Sequence, residues 1–189
     1  MIFLPTRKSY ECQYIHALIF LLDLTFYFLW EFKMYRKIHV YDIDGVLVDS
    51  SHRYRNTPAG NIDLEYWMAN RTKENIAKDT LLPHVVNYRA DVLNSGIYTV
   101  LCTSRMWNID DINFINSRLG KPDYLIMRPM GNMEPDAKLK RIQLLRLRNL
   151  KQFKSLPAFL WEDNKKNISA LTDLFTNCFF VQSHIKDFN

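Results

Sequence analysis

Cysteine is sparse in this chain, and none of it is paired by spacing. Cys12, Cys102 and Cys178 are odd in number and far apart, which leaves no disulfide framework, zinc site or redox dithiol to build. Reduced thiols in a cytoplasm-like compartment are expected, with Cys102 as buried strand packing. The phosphate-cradling GxxxxGK[ST] loop is missing as well, which excludes phosphate binding of the P-loop kind. Acidic residues are the minority sign. The 20 Asp and Glu against 25 Lys and Arg give a formal net charge of +5, with a pI near 9.1. That excess leans towards an anionic partner without identifying one.

What is present suffices for one core. A chain of 189 residues with 48% apolar content fills one domain with a small insertion rather than two domains. Residues 1–33 stand apart in composition. Within them, residues 14–32 (YIHALIFLLDLTFYFLWEF) have the length of a bilayer crossing. Asp23 near the middle would cost about 2.5–3.5 kcal/mol on insertion scales. Basic residues flank both ends, with Arg7 and Lys8 before and Lys33, Arg36 and Lys37 after, so orientation is undetermined. No small-residue cleavage site follows, which argues against a removed signal peptide. Three readings stay open: a helix packed on the domain, a membrane anchor, or an extension outside the functional protein. In the third, the protein starts at Met34. A cytoplasmic location is expected, with anchoring through residues 14–32 as the alternative.

The remainder is organised around residues 38–49, IHVYDIDGVLVD. An apolar run ends in Asp42 and Asp44, and Gly45 breaks the strand pattern, so both acids belong at a strand's C-terminal edge. The strand period points them the same way, able to share a cation or divide nucleophile and proton-transfer roles. Acids that merely cap a strand before a turn are the plain alternative. Three later segments repeat the pattern of an apolar run followed by polar groups. They are residues 97–105 (IYTVLCTSR), 135–140 (PDAKLK) and 158–164 (AFLWEDN). A helix opened by Pro83 and ended by Ser95 and Gly96 joins the first strand to the second, at residues 97–102. That order calls for parallel neighbours with a right-handed crossover. Further expectations are a helix at 108–119 with Ile109, Ile112, Ile115 and Leu119 inward, and a strand at 124–127. A helix from Asp136, a strand at 158–161, a helix at 165–175 and a strand at 178–182 complete the pattern. Arg141, Arg146, Arg148, Lys151 and Lys154 read as a solvated face or as a nucleic-acid track. Between Asp49 and Leu82, the cations and rings of His52, Arg53, Tyr54, Arg55, Tyr66, Trp67 and Arg71 can hold a phosphate and a base. In the other reading, the rings pack this insertion and the arginines are solvated.

In order and content the four segments resemble the haloacid dehalogenase superfamily of phosphohydrolases. Within it, the likeness is to the phosphatase domain of phage polynucleotide kinases and stand-alone phage relatives, and it covers residues 34–182. The resemblance implies an α/β fold, a Rossmann-like three-layer α/β/α sandwich with a mainly parallel sheet. It also implies a small cap at about 49–82 within a domain spanning 34–189. It implies that Asp42 attacks phosphorus to give an aspartyl-phosphate while Asp44 protonates the leaving oxygen and later activates water. Thr103, Lys140 and Arg105 would bind the phosphate, with Lys138 competing for the place of Lys140. Mg²⁺ would be held by Asp42, the Asp44 backbone carbonyl and Asp163, a set of hard oxygen ligands. Glu162, where many relatives have aspartate, would reach the ion directly or through water, and Arg128 would contact substrate. Asp49 and Ser50 would shape the loop. The leading expectation is removal of a 3′-phosphate from a nucleic-acid end, without the kinase half of bifunctional relatives. A nucleotidase or other small-molecule phosphatase is the close alternative. A non-catalytic nucleic-acid or protein-binding module and a membrane-tethered phosphatase are the further ones.

Overall fold

The computed structural model describes residues 34–58 and 63–182. The apolar stretch at 14–32, with its three readings, lies outside them. Among the described residues no helix is long and apolar enough to cross a membrane.

Among the described residues the first element is β1 (Lys37–Tyr41), followed by β2 (Val48–Asp49), a 3-10 turn (Ser51–Arg53), α1 (Leu64–Ala69), α2 (Lys73–Ile76) and β3 (Thr80–Leu81). Next come α3 (Val85–Val92), β4 (Ile97–Met106), and α4 (Ile109–Phe114) running into a π-helical turn at Ile115–Leu119. The chain continues with β5 (Tyr124–Arg128), α5 (Asp136–Arg148), β6 (Ala158–Glu162), α6 (Lys165–Leu171) and β7 (Asn177–Phe180). The main sheet has five strands in the order β5-β4-β1-β6-β7, and every neighbouring pair is parallel. β2 and β3 form a separate antiparallel pair, so the insertion after β1 closes on itself beside the main sheet.

Parallel strands covered on both faces need apolar residues at nearly every position. β1 meets that requirement by alternation. Ile38 and Val40 join Val100, Cys102 and Leu160 against Leu144 and Leu147 of α5 and Leu171 of α6. Tyr41, with Leu101, turns the other way, against Val85 and Tyr88 of α3 and Phe114, Ile115 and Leu119. The result is three layers. Each buried aliphatic side chain contributes about 1.5–3 kcal/mol, so the central strand is the best-anchored part of the sheet.

The topology sets where chemistry can occur. β1 lies between β4 and β6, and the chain visits β4 and β5 on one side before crossing to β6 and β7 on the other. The C-terminal end of β1 is therefore a switch point, where open α/β sheets leave a crevice. Tyr41 is in register with Leu101 and Trp161, so Asp42 emerges one step beyond, level with the acidic end of β6.

Two local expectations are corrected. β4 does not stop at Cys102 but runs on to Met106, with a register shift against β5 between those residues. The inward face of α4 is also rotated. Asp111, Phe114, Ile115 and Leu119 are buried, while Ile109 is 55% exposed. The basic residues at and beyond α5 divide. Arg141 pairs with Asp173, and Arg148 donates to the Phe153 carbonyl at 2.8 Å. Arg146, Lys151 and Lys154 are exposed, as an amphipathic helix with a solvated face requires.

Candidate active site

Immediately past β1 the chain turns sharply. Asp42 N–H still donates to the Trp161 carbonyl at 3.0 Å, as a strand residue would, but the N–H groups of Leu47 and Val48 both return to the Ile43 carbonyl at 2.9 Å. Gly45 takes φ +77°, and a Cβ there would lie 1.9 Å from Asp163 Oδ2. Glycine is thus required twice, by the left-handed backbone and by the close approach of that carboxylate.

Around this turn three carboxylates meet one ammonium. Asp42, Glu162 and Asp163 each offer an oxygen within 4.8 Å of the others. Lys140, on the buried side of α5, places Nζ 2.7 Å from Asp42 Oδ2 and 2.8 Å from Glu162 Oε2. Lys138 is exposed and pairs with Glu134 at 2.9 Å, so Lys140 is the lysine at the site. Glu162 is fully buried, and it also accepts from the Asn167 side chain at 3.1 Å. Burial, then the neighbouring Glu162 charge, holds the Asp42 carboxyl well above the ordinary carboxylate range. The same two causes push Asp163 up to about 7. Burial would depress the Lys140 ammonium, but Asp42 and Glu162 more than offset it and hold it up.

The arrangement fits a divalent cation. Three carboxylates against one ammonium leave two negative charges unmatched. The donors are hard oxygens, as Mg²⁺ prefers. The Asp44 carboxylate is not in the cluster, so the two acids of the DxD pair do not converge as simple strand alternation suggested.

Asp44 instead faces a second buried network. Its Oδ2 accepts from Arg105 Nε at 2.9 Å, and its Oδ1 accepts from Arg105 Nη2 at 2.7 Å and Ser50 Oγ at 2.5 Å. Burial alone would raise the Asp44 carboxyl, but the Arg105 charge and these hydrogen bonds hold it down to about 2. Arg105 also donates to Asp79 at 2.9 Å and Asp111 at 2.8 Å. Arg53 grips Asp79 through two bonds of 2.9 Å. This corrects two expectations. Arg105 is 2% exposed, with Nε and Nη2 committed to carboxylates, and is not a free phosphate clamp. Arg53 is neither solvated nor substrate-facing.

Both clusters open on one cleft of about 840 Å³ that includes Asp42, Asp44, Lys140, Glu162 and Asp163 in its lining. At the end of β4 it is lined by Ser104, Arg105 and Met106. Thr103 is 1% exposed, and its Oγ1 accepts the Arg105 N–H at 3.1 Å. Ser104 Oγ is buried without a hydrogen-bond partner, an unusual state that a bound polar group would relieve. Arg128 also lines the cleft, yet it donates to the carbonyls of Ser104 (3.0 Å), Asn132 (3.2 Å) and Glu134 (2.6 Å), and to Asp136. It braces the loop between β5 and α5 rather than standing free for substrate.

Sequence reasoning missed Ser104, Asp79 and Asp111. Asp111 had a signal, since Asp111, Ile115 and Leu119 repeat at the helical spacing of four and share the buried face. Ser104 and Asp79 had none, one beside the more conspicuous Thr103 and the other in a polar stretch.

Similarities to known proteins agree with this geometry. The sequence model of the Bacteriophage T5 5′-deoxynucleotidase family matches residues 31–123. A curated relative, the 5′-deoxynucleotidase of Escherichia phage T5, is 28% identical over 98 residues, covering 50% of this chain and 35% of that protein. In two structures of the Pnkp1/Rnl/Hen1 RNA repair complex, a chain superposes with a TM-score of 0.58 at 20% identity and 0.57 at 19% identity. Each match covers 78% of this chain, and 42% and 46% of the other. At such identities the structural likeness speaks for fold alone. The chain spans about a third of the curated relative's length and under half of the structural relatives'. The chain thus has an α/β fold with a mainly parallel five-stranded sheet, shared with a chain of that RNA repair complex.

Proposed function

We infer that the protein is a Mg²⁺-dependent phosphomonoester hydrolase whose substrates are deoxynucleoside monophosphates. The observation that carries this reading is the cluster of Asp42, Glu162 and Asp163 around Lys140, open to a cleft larger than a phosphoryl group. The family match and the phage T5 relative, a 5′-deoxynucleotidase, support the nucleotide.

In this reading Asp42 is the nucleophile. Lys140 holds it in one orientation and offsets negative charge on the transferred phosphoryl group, which such reactions require. Attack by Asp42 Oδ on phosphorus breaks the ester P–O bond and leaves an aspartyl-phosphate, which water then hydrolyses. Asp42, Asp163 and Glu162, with the Asp44 backbone carbonyl that the family resemblance implies, would hold Mg²⁺, which would supply neutralisation of the charge gathered there. Asp44, held ionised by Arg105, is suited to take the proton from the attacking water. For the nucleoside to leave, Asp44 first delivers a proton to the ester oxygen, against the pull of Arg105, and it regains one from the water that hydrolyses the aspartyl-phosphate, so the proton count closes. Ser104, which lines the cleft, offers its unpartnered Oγ to a phosphoryl oxygen, while the buried Thr103 stands behind it, its Oγ1 accepting the Arg105 N–H.

The second reading, a 3′-phosphatase acting on nucleic-acid ends, is favoured by the fold shared with a chain of an RNA repair complex. Phosphate release separates the two. Deoxynucleoside 5′-monophosphates and a 3′-phosphorylated oligonucleotide are compared with Mg²⁺ and with a chelator. The first reading expects a higher kcat/KM on the mononucleotides, lost on chelation, and a preference for the oligonucleotide would replace it with the second.

A further inference from the structure

The cleft changes character away from its carboxylates. Tyr54, Trp67 and Met68 reach it from the insertion after β1, Met106 from the end of β4, and Met130 and Met133 from the loop after β5. Met130 is 67% exposed and Met133 70%, so both thioethers stand largely uncovered at the mouth of the cleft. Trp67 is held differently. The Arg71 guanidinium lies over its ring, 4.9 Å from a ring centroid, and Arg71 Nη2 is itself pinned to the Met106 carbonyl at 2.6 Å. One braced aromatic plane and two flexible, polarizable thioethers suit a flat heteroaromatic ring of variable outline.

We propose that Trp67, Met130 and Met133 form the leaving-group subsite and grip a single nucleobase by its faces without reading its edge. The proposal rests on the phosphomonoesterase reading above. Two features of the lining favour it. The three side-chain amides of the lining are each tied within the fold, Asn132 Oδ1 with the Glu134 N–H and Asn164 Oδ1 with the Lys166 N–H, both at 2.9 Å, and Asn167 Nδ2 with Glu162 at 3.1 Å. Of the four cations in the lining, Arg105, Arg128 and Lys140 are committed to ion pairs, and Lys165 lies over the Phe180 ring, 5.1 Å from its centroid, which leaves at most that one lysine for the second phosphate of a strand. The subsite therefore accepts each common base and one nucleotide at a time.

The test compares kcat/KM for deoxynucleoside 5′-monophosphates of each common base with that for 2-deoxyribose 5-phosphate, which keeps the ester and lacks the base. Wild type is expected to prefer every nucleotide over the base-free ester by about tenfold, the scale of one stacked base. Trp67→Ala should lower kcat/KM on nucleotides about tenfold more than on the sugar phosphate, and Trp67→Phe should restore most of the difference. The double variant Met130→Ala, Met133→Ala, at residues too exposed to unsettle the fold, should move the ratio in the same direction. Equal losses on both substrates, or a wild type that treats them alike, would overturn the subsite and leave the phosphatase reading standing. Preference for one base on the order of 10⁴-fold, the mark of hydrogen-bond readout, would overturn recognition by faces. Hydrolysis of neither ester would overturn both readings.

Discussion

A methyl group at residue 45 would have nowhere to go. The Asp163 carboxylate occupies that space, and the backbone there is left-handed, so Gly45→Ala must either strain the turn or displace a member of the acidic cluster. We expect a loss of about 1–3 kcal/mol, the usual scale of local backbone strain, measured by urea denaturation, together with weakened Mg²⁺ binding. Wild-type stability and affinity would show that the turn can relax. At this scale the sequence was partly readable. An apolar run ending in two acids and a glycine gives the strand end and the turn, but Lys138 and Lys140 each stand four residues after an acid, and only the fold brings Lys140 to Asp42 while Lys138 pairs with Glu134. The partners of Asp44 were not readable. Arg105 lies 61 positions away from it in sequence, and no local pattern indicates whether an arginine at a strand end faces solvent, substrate or a buried carboxylate.

Elements are held together here by charge as well as by apolar packing. Arg53 follows β2 in the 3-10 turn, Asp79 precedes β3, Arg105 ends β4 and Asp111 belongs to α4. Their buried network fastens the insertion to the main sheet beside Asp44. Asp79→Ala leaves two buried guanidinium groups short of a partner, and breaking a buried pair from one side costs about 3–5 kcal/mol. Chemical denaturation should register that loss, and a change below 1 kcal/mol would mean that the network does not bear on stability. A second inter-element tie joins β1 to α3. Asp91 accepts from the Tyr41 hydroxyl at 2.5 Å and lies 2.5 Å from His39 Nδ1. Burial would raise the Asp91 carboxyl, but the His39 and Tyr41 hydrogen bonds keep it below the ordinary value. A carboxyl lowered by folding stabilises above its unfolded pKa, and the contribution fades as pH falls through the folded one. Asp91→Asn should therefore reduce stability at neutral pH and flatten its decline on the acid side, as followed by thermal unfolding across pH. An unchanged acid limb would place the proton linkage elsewhere. Sequence periodicity located these elements well, since strands β1, β4 and β6 carry near-continuous apolar runs. It placed Ile115 and Leu119 inward correctly but turned Ile109 in and Asp111 out, because a buried, charge-paired Asp111 looks polar to any hydropathy pattern.

For the whole molecule the decisive quantity is charge. A chain with net charge +5 nevertheless gathers three carboxylates around one ammonium at the switch point of its sheet. Without a cation, protons on Asp42 and Asp163, both of which titrate above the ordinary carboxylate range, relieve the repulsion, and a divalent ion would replace them. Mg²⁺ should accordingly raise the unfolding temperature. Ligand linkage gives about 2.7 kcal/mol when the ion is at a hundred times its dissociation constant. Asp163→Asn should remove most of that dependence, and a Mg²⁺ response that survives the substitution would point to a different site. The layered fold was legible because strand and helix periods alternate along the chain and parallel crossovers have one favoured hand. The apolar cleft lining was not, since its methionines come from α1, the end of β4 and the loop after β5, which only the folded sheet brings to one crevice.

The most direct measurement is phosphate release from a deoxynucleoside monophosphate by the wild-type protein and by Asp42→Asn, each with and without Mg²⁺. Release that requires both the ion and the Asp42 carboxylate is the predicted result. Undiminished release by Asp42→Asn, or no release by wild type in Mg²⁺, would contradict the proposal that these four segments build a phosphoryl-transfer site.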